Sequence, residues 1–425
     1  MRACSNKKET KFLFYYKGGN MIKCDFSRSY IDDEKYNELF KRKDEIYNLF
    51  LNDPMNGWIN EVSTSLIEDI KVTANHVKKE YDLMIVIGIG GSFLGSLAFN
   101  NLFKKKYNDN TFKIIYVGST LSSSDTNDLI EYLKNKKFCI NVISKSGNTL
   151  ETNIMYNKFK EVLKEKYKDI SKHIIISTNS SEGKLREEVV INDYKMFVLP
   201  DNIGGRFSFI TAAHLFPLAL NYNIDDIING YYSGKSLKEE AFKYAITRNL
   251  LFNCGKYVEN YVGDNENMIY FFEWVKQLFG ESEGKNNKGI LPISTIFPRD
   301  LHSLGQFIQD GNKIIFETFI TFKDKNEELD KISNLIITSA MKAHYDGHVP
   351  IINIELDSLN EKNIAMLISF YLQHHFQLIY LMFIHLINLV LKYIKVKLVK
   401  TIINKKLSFL FYFIKNAKIY VFYVI

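Results

Sequence analysis

Residues 83–96 read LMIVIGIGGSFLGS, an apolar and largely β-branched run followed by a glycine-rich segment. The continuous apolar run predicts a strand buried on both faces of a sheet, because a strand with one solvated face would alternate polar and apolar residues. The glycines permit a tight turn with the backbone close to a ligand, and a following helix would direct free N–H groups at that ligand. The stretch therefore predicts an anion site at the end of a parallel strand.

Further apolar runs follow at helix-sized intervals: FKIIYVG at 112–118, FCINVIS at 138–144, HIIIST at 173–178 and MFVLP at 196–200. Strands alternating with amphipathic helices predict a doubly wound α/β domain, which we place at 71–230. A helical region at 212–263 precedes a second set of candidate strands, ILPISTIF, KIIFETFITF and HVPIINIEL. These predict a second α/β domain at 231–365, and residues 21–70 are expected to form a helical N-terminal arm.

The net charge of +7 is unevenly distributed. Up to Glu361 the chain carries 46 Lys and Arg against 48 Asp and Glu, and beyond it nine Lys and no acid. A nearly neutral body argues against nucleic-acid binding, which needs clustered basic residues. Four cysteines without paired spacing indicate reduced thiols in a cytoplasmic protein rather than disulfides or a metal site, and the N-terminus carries no export signal.

A dinucleotide site is the main alternative for the glycine-rich segment. The pattern G-x-G-x-x-G fails, because Gly88 and Gly90 fit but the third glycine position holds Phe93. The acid that would hold a ribose at the end of the next strand is also missing, since that strand runs into Gly118 and Ser119. NAD is therefore not expected.

A second candidate anion site follows the third strand, in SKSGNTLET at 144–152. It places hydroxyls, a lysine and a glycine at the start of a helix: Ser144, Lys145, Ser146, Gly147 and Thr149. Phosphate favours this set of hydrogen-bond donors, although Ser and Thr are also common as ordinary N-caps.

Three later segments contain candidate catalytic residues. DNIGGRFSFIT places Gly205 and Arg206 beside a helix start, where a guanidinium can face a developing negative charge. QLFGESEGK places Gln277 and Glu281 four residues apart, and RDLHSLGQFIQDG supplies His302, whose side chain can move protons near neutral pH. Taken alone, Arg206 could be a surface arginine, Glu281 a solvated acid and His302 a structural histidine.

Together, GIGGSFLGS, SKSGNTLETN, DNIGGRFSFIT, WVKQLFGESEGKNNKGILP and DLHSLGQFIQDG, in this order and spacing, resemble the bacterial form of the glucose-6-phosphate isomerase family. The resemblance extends from about residue 21 to about 365. It implies two sugar-isomerase-type α/β/α domains, a cytoplasmic homodimer, a sugar phosphate substrate, and no metal or organic cofactor. It also implies that this chain interconverts glucose 6-phosphate and fructose 6-phosphate.

The resemblance implies roles for matching positions. Glu281 would carry a proton between C2 and C1 of the opened sugar, and Arg206 with the backbone of Gly205 would stabilise the cis-enediolate. His302, reaching the site from the neighbouring subunit, would help open the ring. The remaining residues would bind substrate: Gly91 and Ser92 in the glycine-rich segment, Ser144, Lys145, Ser146 and Thr149 around the phosphate, and Gln277 in the pocket wall.

The last part of the chain departs from the family pattern. Residues 362–425 contain no Asp, Glu, Gly or Pro, and the family's C-terminal segment, similar to NPFNQPGVEAYK, is missing. However, codons for IHLINLVLKYIKVK can be chosen so that reading one nucleotide early gives YPFNQPGVEIYKSK. We therefore expect residues 366–425 to be a frameshifted tail. The stretch KGGNM at 17–21 is what a purine-rich ribosome-binding sequence followed by a start codon would translate to, so we expect residues 1–20 to be an upstream extension preceding a true start at Met21.

Two alternatives to an active isomerase remain open: an isomerase inactivated by its altered C-terminus, and a non-catalytic binding protein. A non-catalytic sugar-phosphate-binding protein of the same fold would keep the hydroxyl-rich segment, but it would not need Glu281, His302 and Arg206 together. A membrane anchor in the tail is not expected, because QLIYLMFIHLINLVL is too short and LSFLFYFIKNAKIYVFYVI is interrupted by lysines.

Overall fold

The computed structural model describes residues 22–285 and 287–373 and contains two five-stranded sheets. The strands are β1 (Ile22–Asp25), β2 (Leu83–Ile87), β3 (Lys113–Val117), β4 (Phe138–Ile143), β5 (Ile174–Thr178), β6 (Lys195–Val198), β7 (Val258–Gly263), β8 (Leu291–Ile296), β9 (Ile315–Phe322) and β10 (Ile351–Leu356).

The helices that surround these sheets are α1 (Asp33–Phe40), α2 (Lys43–Leu51), α3 (Thr64–Glu80), α4 (Leu94–Phe103), α5 (Ser123–Leu133), α6 (Leu150–Lys166), α7 (Lys184–Asn192), α8 (Ala212–Ala219), α9 (Ile224–Ser233), α10 (Lys238–Asn253), α11 (Ile269–Glu283), α12 (Gly305–Asp310), α13 (Glu328–Asp346) and α14 (Glu361–Leu372). Short 3-10 turns connect several of them, and two of these, Gly90–Ser92 and Gly205–Ile210, contribute to the candidate site. The α/β class predicted from sequence is confirmed.

The first sheet has the order β3-β2-β4-β5-β6 and is entirely parallel. Its strands are the five predicted from the apolar runs. Every residue of β2, β4 and β5 is buried, as expected for strands that are covered on both faces. The carboxyl ends of β2 and β4, which are neighbours in this sheet, lead directly into the two predicted anion sites.

The second sheet has the order β1-β10-β9-β7-β8 and contains two strands at positions that were predicted to be helical. Strand β7 lies inside the region predicted to be helical at 212–263, and β1, at the start of the predicted helical arm, pairs antiparallel with β10. The sequence of β7, VENYVG, contains two polar residues, Glu259 and Asn260, that are fully buried. Their side chains form hydrogen bonds with residues of other elements. These polar residues interrupt the apolar run that would indicate a buried strand.

Helix α14 continues past the predicted boundary at residue 365. The side chains from Asn363 to Leu372 are buried, and the Gln373 side-chain amide donates to the Gly234 carbonyl at 2.9 Å. The predicted upstream extension at 1–20 and the remainder of the predicted tail, 374–425, lie outside the described residues. No described helix is both long and apolar enough to cross a bilayer.

Candidate active site

Two glycine-rich segments meet backbone to backbone at the centre of the candidate site. After β2, the backbone turns through Gly90, at a φ of +54°, where an added Cβ would lie 2.8 Å from the Gln277 amide nitrogen. A Cβ on Gly91 would lie 2.3 Å from the Gly205 carbonyl carbon, which no side chain could tolerate. The sequence requires glycine here because the segment after β2 lies directly against the turn that carries Arg206.

The hydroxyl-rich segment between β4 and α6 is ordered by its own side chains. The Ser144 hydroxyl accepts from the Gly147 amide at 3.1 Å and lies 3.2 Å from the Thr149 hydroxyl. The Ser146 hydroxyl accepts from the Asn148 amide at 3.2 Å. Thr149 is the N-cap of α6 but makes no side-chain capping bond, so N–H groups of the first helical turn remain available to an anion.

Lys145 connects this segment to the loop after β6. Its ammonium group donates to the Asp201 carbonyl at 2.6 Å and to the Ile203 carbonyl at 3.3 Å. A cavity of about 60 Å³ lies beside it, and its lining includes Gly91, Ser92, Lys145, Ile203, Gly205 and Ser208. Both predicted anion sites therefore border one cavity at the carboxyl ends of β2 and β4.

Arg206 and the end of α11 form a polar cluster next to this cavity. The Arg206 guanidinium donates to the Glu281 carboxylate at 2.9 Å and to the Ser282 hydroxyl at 2.7 Å. Gln277, one helical turn before Glu281, donates to the second carboxylate oxygen at 3.2 Å. The carbonyl oxygen of the Gln277 side chain is buried and has no hydrogen-bond partner among the described residues.

The Glu281 side chain keeps 53% of its surface exposed, so a ligand can approach its carboxylate. An accessible carboxylate beside a guanidinium can remove a proton from carbon while the cation stabilises the negative charge that results.

His302 does not join this cluster within the chain. It follows the 3-10 turn Arg299–Leu301 after β8, and its side chain is exposed. Among the residues that the structure describes, no hydrogen bond or ion pair joins its imidazole to Glu281 or Arg206. Ten of the eleven predicted site residues lie in the two glycine-rich segments, the hydroxyl-rich segment and α11. The eleventh, His302, has an exposed side chain.

Three hydrogen-bonding side chains near the site were not identified from sequence. Ser282 accepts from Arg206, Ser208 donates to the Gly205 carbonyl at 2.6 Å, and His214 lies 2.9 Å from the Gly91 carbonyl. Ser282 and Ser208 stand inside motifs that were singled out. His214 had a detectable signal, because it is the only polar side chain in AAHLFPLA, and a polar group on an apolar helix requires a partner.

A buried ionic cluster supports α11 two residues beyond Glu281. Arg248 of α10 donates to Glu259 of β7 at 2.6 Å and to Glu283 of α11 at 2.5 Å. All three side chains of these ion pairs are fully buried. The Tyr244 hydroxyl donates to Glu259 at 2.6 Å, so the cluster joins α10, α11 and the second sheet.

Comparisons with known proteins identify the family of this chain. The family model described as phosphoglucose isomerase matches residues 59–270. Glucose-6-phosphate isomerase from Mycoplasma mycoides is 35% identical, with 83% of this chain and 91% of the relative covered. The same enzyme from Clostridium tetani is 36% identical, with 81% and 87% covered.

A solved structure has the same fold. The crystal structure of a glucose-6-phosphate isomerase from Chlamydia trachomatis aligns with a TM-score of 0.71 at 16% identity, covering 84% of this chain and 83% of that one. The sequence relatives, of which this chain covers most of the length, decide the assignment: the chain belongs to the phosphoglucose isomerase family.

Proposed function

We propose that this chain interconverts glucose 6-phosphate and fructose 6-phosphate. The observation that carries the proposal is the contact of Glu281 with both Arg206 and Gln277, next to a cavity bordered by two anion-binding segments. Membership of the phosphoglucose isomerase family supplies the substrate class.

The proposed chemistry moves one proton between neighbouring carbons. Glu281 removes the proton from C2 of the open aldose, the electron pair forms the C1–C2 double bond of a cis-enediolate while the C1 carbonyl electrons move onto O1, and the carboxylic acid returns the proton to C1. The hydroxyl proton passes from O2 to O1 as the C2 carbonyl forms, so the ketose has the same composition as the aldose. Arg206 and the backbone at Gly205 stabilise the enediolate oxygens. One preorganised group of this kind supplies roughly 3 to 4 kcal/mol of transition-state stabilisation. No cofactor is required, because oxidation at one carbon balances reduction at the next.

The substrate phosphate is assigned to the hydroxyl-rich segment. Ser144, Lys145, Ser146 and Thr149 offer donors together with the first turn of α6, and no acid precedes Glu151 in that segment. Gly91 and Ser92 border the same cavity from the opposite segment. Gln277 would accept from a sugar hydroxyl through its unpartnered oxygen.

His302 is assigned to the active site of a second subunit in a homodimer. Its exposed position is consistent with this role, and nearby Leu304 and Phe307 leave 40% and 47% of their surfaces exposed. Helix α12 packs against α13, which also exposes Leu329, Ile332 and Leu335. Exposed apolar side chains on α12, close to His302 in the sequence, and on the neighbouring α13 support an interface between copies of the chain.

Mixing two inactive variants tests this assignment. His302→Ala and Glu281→Gln should each lose activity, but a mixture allowed to exchange subunits should recover about one quarter of the parental activity. The reason is that half of the dimers would be mixed and each mixed dimer would hold one intact site. The measurement is the isomerisation rate after exchange, with each variant alone as the control. No recovery despite proven exchange would place His302 in the site of its own chain.

The reaction itself is tested with two versions of the chain. One is the 425-residue chain, and the other changes to the alternative reading frame between residues 368 and 373, which restores YPFNQPGVEIYKSK. We propose that the true start is Met21. We also propose that the tail is read out of frame, so the restored chain should be the more active of the two. In the family pattern, Gln and Lys of that segment complete the site.

Conversion of fructose 6-phosphate is followed by NMR of the sugar phosphates. Equal rates for the two versions would contradict the frameshift proposal. Tight binding of fructose 6-phosphate without interconversion by either version would favour the non-catalytic sugar-phosphate-binding protein. The family resemblance further supports a cytoplasmic enzyme, and detection of the native protein in a membrane or secreted fraction would contradict that assignment.

A further inference from the structure

His214 is a fully buried histidine in α8, and both of its ring nitrogens have hydrogen-bond partners. The Ser96 amide lies 3.0 Å from Nδ1, and the Gly91 carbonyl lies 2.9 Å from Nε2. The Ser208 hydroxyl lies 3.0 Å from Nε2. The ring therefore joins α8 to α4, to the glycine-rich segment after β2 and to the turn that carries Arg206.

These partners determine which nitrogen carries the proton. A backbone N–H can only donate, so Nδ1 must accept from Ser96 and carries no hydrogen. In the neutral ring the proton is then on Nε2, which donates to the Gly91 carbonyl. The Ser208 hydroxyl can accept from Nε2 while it donates to the Gly205 carbonyl at 2.6 Å. The chain of bonds links the two glycine-rich segments of the site.

His214 also supplies a missing helix cap. The N-cap residue of α4 is Phe93, whose side chain cannot accept a hydrogen bond. Ser96 is the third residue of α4, and its amide is one of the groups that an N-cap side chain normally satisfies. The imidazole of a different helix performs this task, so α4 and the segment preceding it are fixed to α8 through one ring.

We propose that His214 is a positioning residue that holds the Gly91 carbonyl in place, so that the glycine-rich segment stays against Gly205 and Arg206. This inference rests on the proposed isomerase function of the same site. Gly91 has no side chain of its own to fix its orientation, and a Cβ there would collide with Gly205. A misplacement of about 1 Å at a reacting centre can cost about 10²-fold in rate, so small movements of this segment matter.

The surroundings of the ring favour its neutral form. It faces the Ser96 amide, the Gly91 carbonyl, the Ser208 hydroxyl and the Phe209 ring, whose centroid is 6.1 Å away. Among the described groups hydrogen-bonded to it there is no acid that would stabilise an imidazolium. Burial lowers the pKa of His214 to about 4, against the opposing effect of the Gly91 carbonyl.

Two substitutions separate the two hydrogen bonds of the ring. Asn at position 214 can place its amide oxygen near the position of Nδ1 and keep the bond from Ser96, but it cannot reach Gly91. Gln can place its amide NH₂ near the position of Nε2 and keep the bond to Gly91, but it loses the bond from Ser96. We expect His214→Asn to lower kcat by about 10- to 100-fold and His214→Gln to stay within about threefold of the parent.

Amide hydrogen exchange of the peptide covering 88–96 and the melting temperature are measured in the same full-length proteins. Faster exchange in that peptide is expected for His214→Asn, and melting temperatures should fall by similar amounts in both variants. Equal loss of kcat in both variants, or none in either, would reduce His214 to a packing residue and overturn the proposal. Neither exchange nor melting requires activity, so failure of the isomerase assignment would be seen separately.

A measurement on the unsubstituted chain covers the case in which both variants fail to fold. Imidazole ¹⁵N shifts of His214 should show the Nε2-protonated neutral ring from pH 7 to pH 5. An Nδ1-protonated ring, or an imidazolium at pH 6, would contradict the hydrogen-bond arrangement on which the proposal depends.

Discussion

Glu281→Gln should reduce kcat for isomerisation of fructose 6-phosphate by about 10³-fold, within the roughly 10²- to 10⁴-fold range of positioned proton transfer. Glutamine keeps the size of the side chain and can still accept a hydrogen bond from Arg206, but it cannot take the proton from carbon. The dissociation constant for fructose 6-phosphate should stay within about threefold of the parental value. The measurement combines steady-state kinetics with a direct binding titration.

Glu273→Gln is the matched control for this substitution. Glu273 is also a partly exposed glutamate of α11, but its carboxylate pairs with Lys276 at 2.7 Å instead of with Arg206. Its removal should leave kcat unchanged, because a surface ion pair of this kind contributes little. A Glu281→Gln enzyme with near-normal kcat would show that another group is the base.

Arg248→Met should destabilise the protein by about 3 to 5 kcal/mol, the usual effect of removing one partner from a buried ion pair. Methionine fills part of the space of the arginine side chain but leaves Glu259 and Glu283 without their counter-ion. Both carboxylates are fully buried, so water cannot replace the lost guanidinium. Since a domain typically has only about 5 to 15 kcal/mol of stability, this loss is a large fraction of the total.

Urea unfolding monitored by circular dichroism measures this effect. Lys164→Met is the control, because Lys164 pairs with Glu161 at 2.7 Å in an ion pair whose side chains are 51% and 64% exposed. Its loss should cost less than about 1 kcal/mol. If Arg248→Met were as stable as this control, the two carboxylates would have to be protonated or rehydrated in the variant, and the ionic cluster would not support α11.

The sequence predicted the first sheet well because its strands are continuous apolar runs, whose meaning does not depend on distant residues. Strand β7 was missed for the opposite reason. Glu259 and Asn260 look like surface residues until Arg248, Glu317 and Thr295 are brought beside them by the fold. Strand β1 was missed because four residues, IKCD, carry too little pattern, and their partner β10 lies more than 300 positions away.

The same distinction applies to the candidate site. Residues within contiguous motifs, such as Ser144 to Thr149 or Gln277 and Glu281, could be identified from local composition and spacing. The segment AAHLFPLA marks His214 as a residue that needs a hydrogen-bond partner, but its role could not be predicted, because that role is defined by Ser96 and Gly91, which stand 118 and 123 positions away in the sequence. His302 was a candidate from its segment RDLHSLGQFIQDG, and its assignment to a second subunit, which the family resemblance implies, remains a prediction.

The pairing of β1 with β10 determines when each half of the molecule can be completed during synthesis. The first sheet uses only residues 83–198, so all its strands have left the ribosome while roughly half of the chain is still to be made. Strand β1 is one edge of the second sheet and pairs there with β10, so it cannot join the sheet until β10 emerges. Because β1 is among the earliest segments synthesised, it must remain unpaired until then. An arrest of translation before residue 351 would therefore leave a folded first sheet attached to an incomplete second sheet. Glu281 of α11 would already be synthesised, but the sheet that supports α11 would be unfinished.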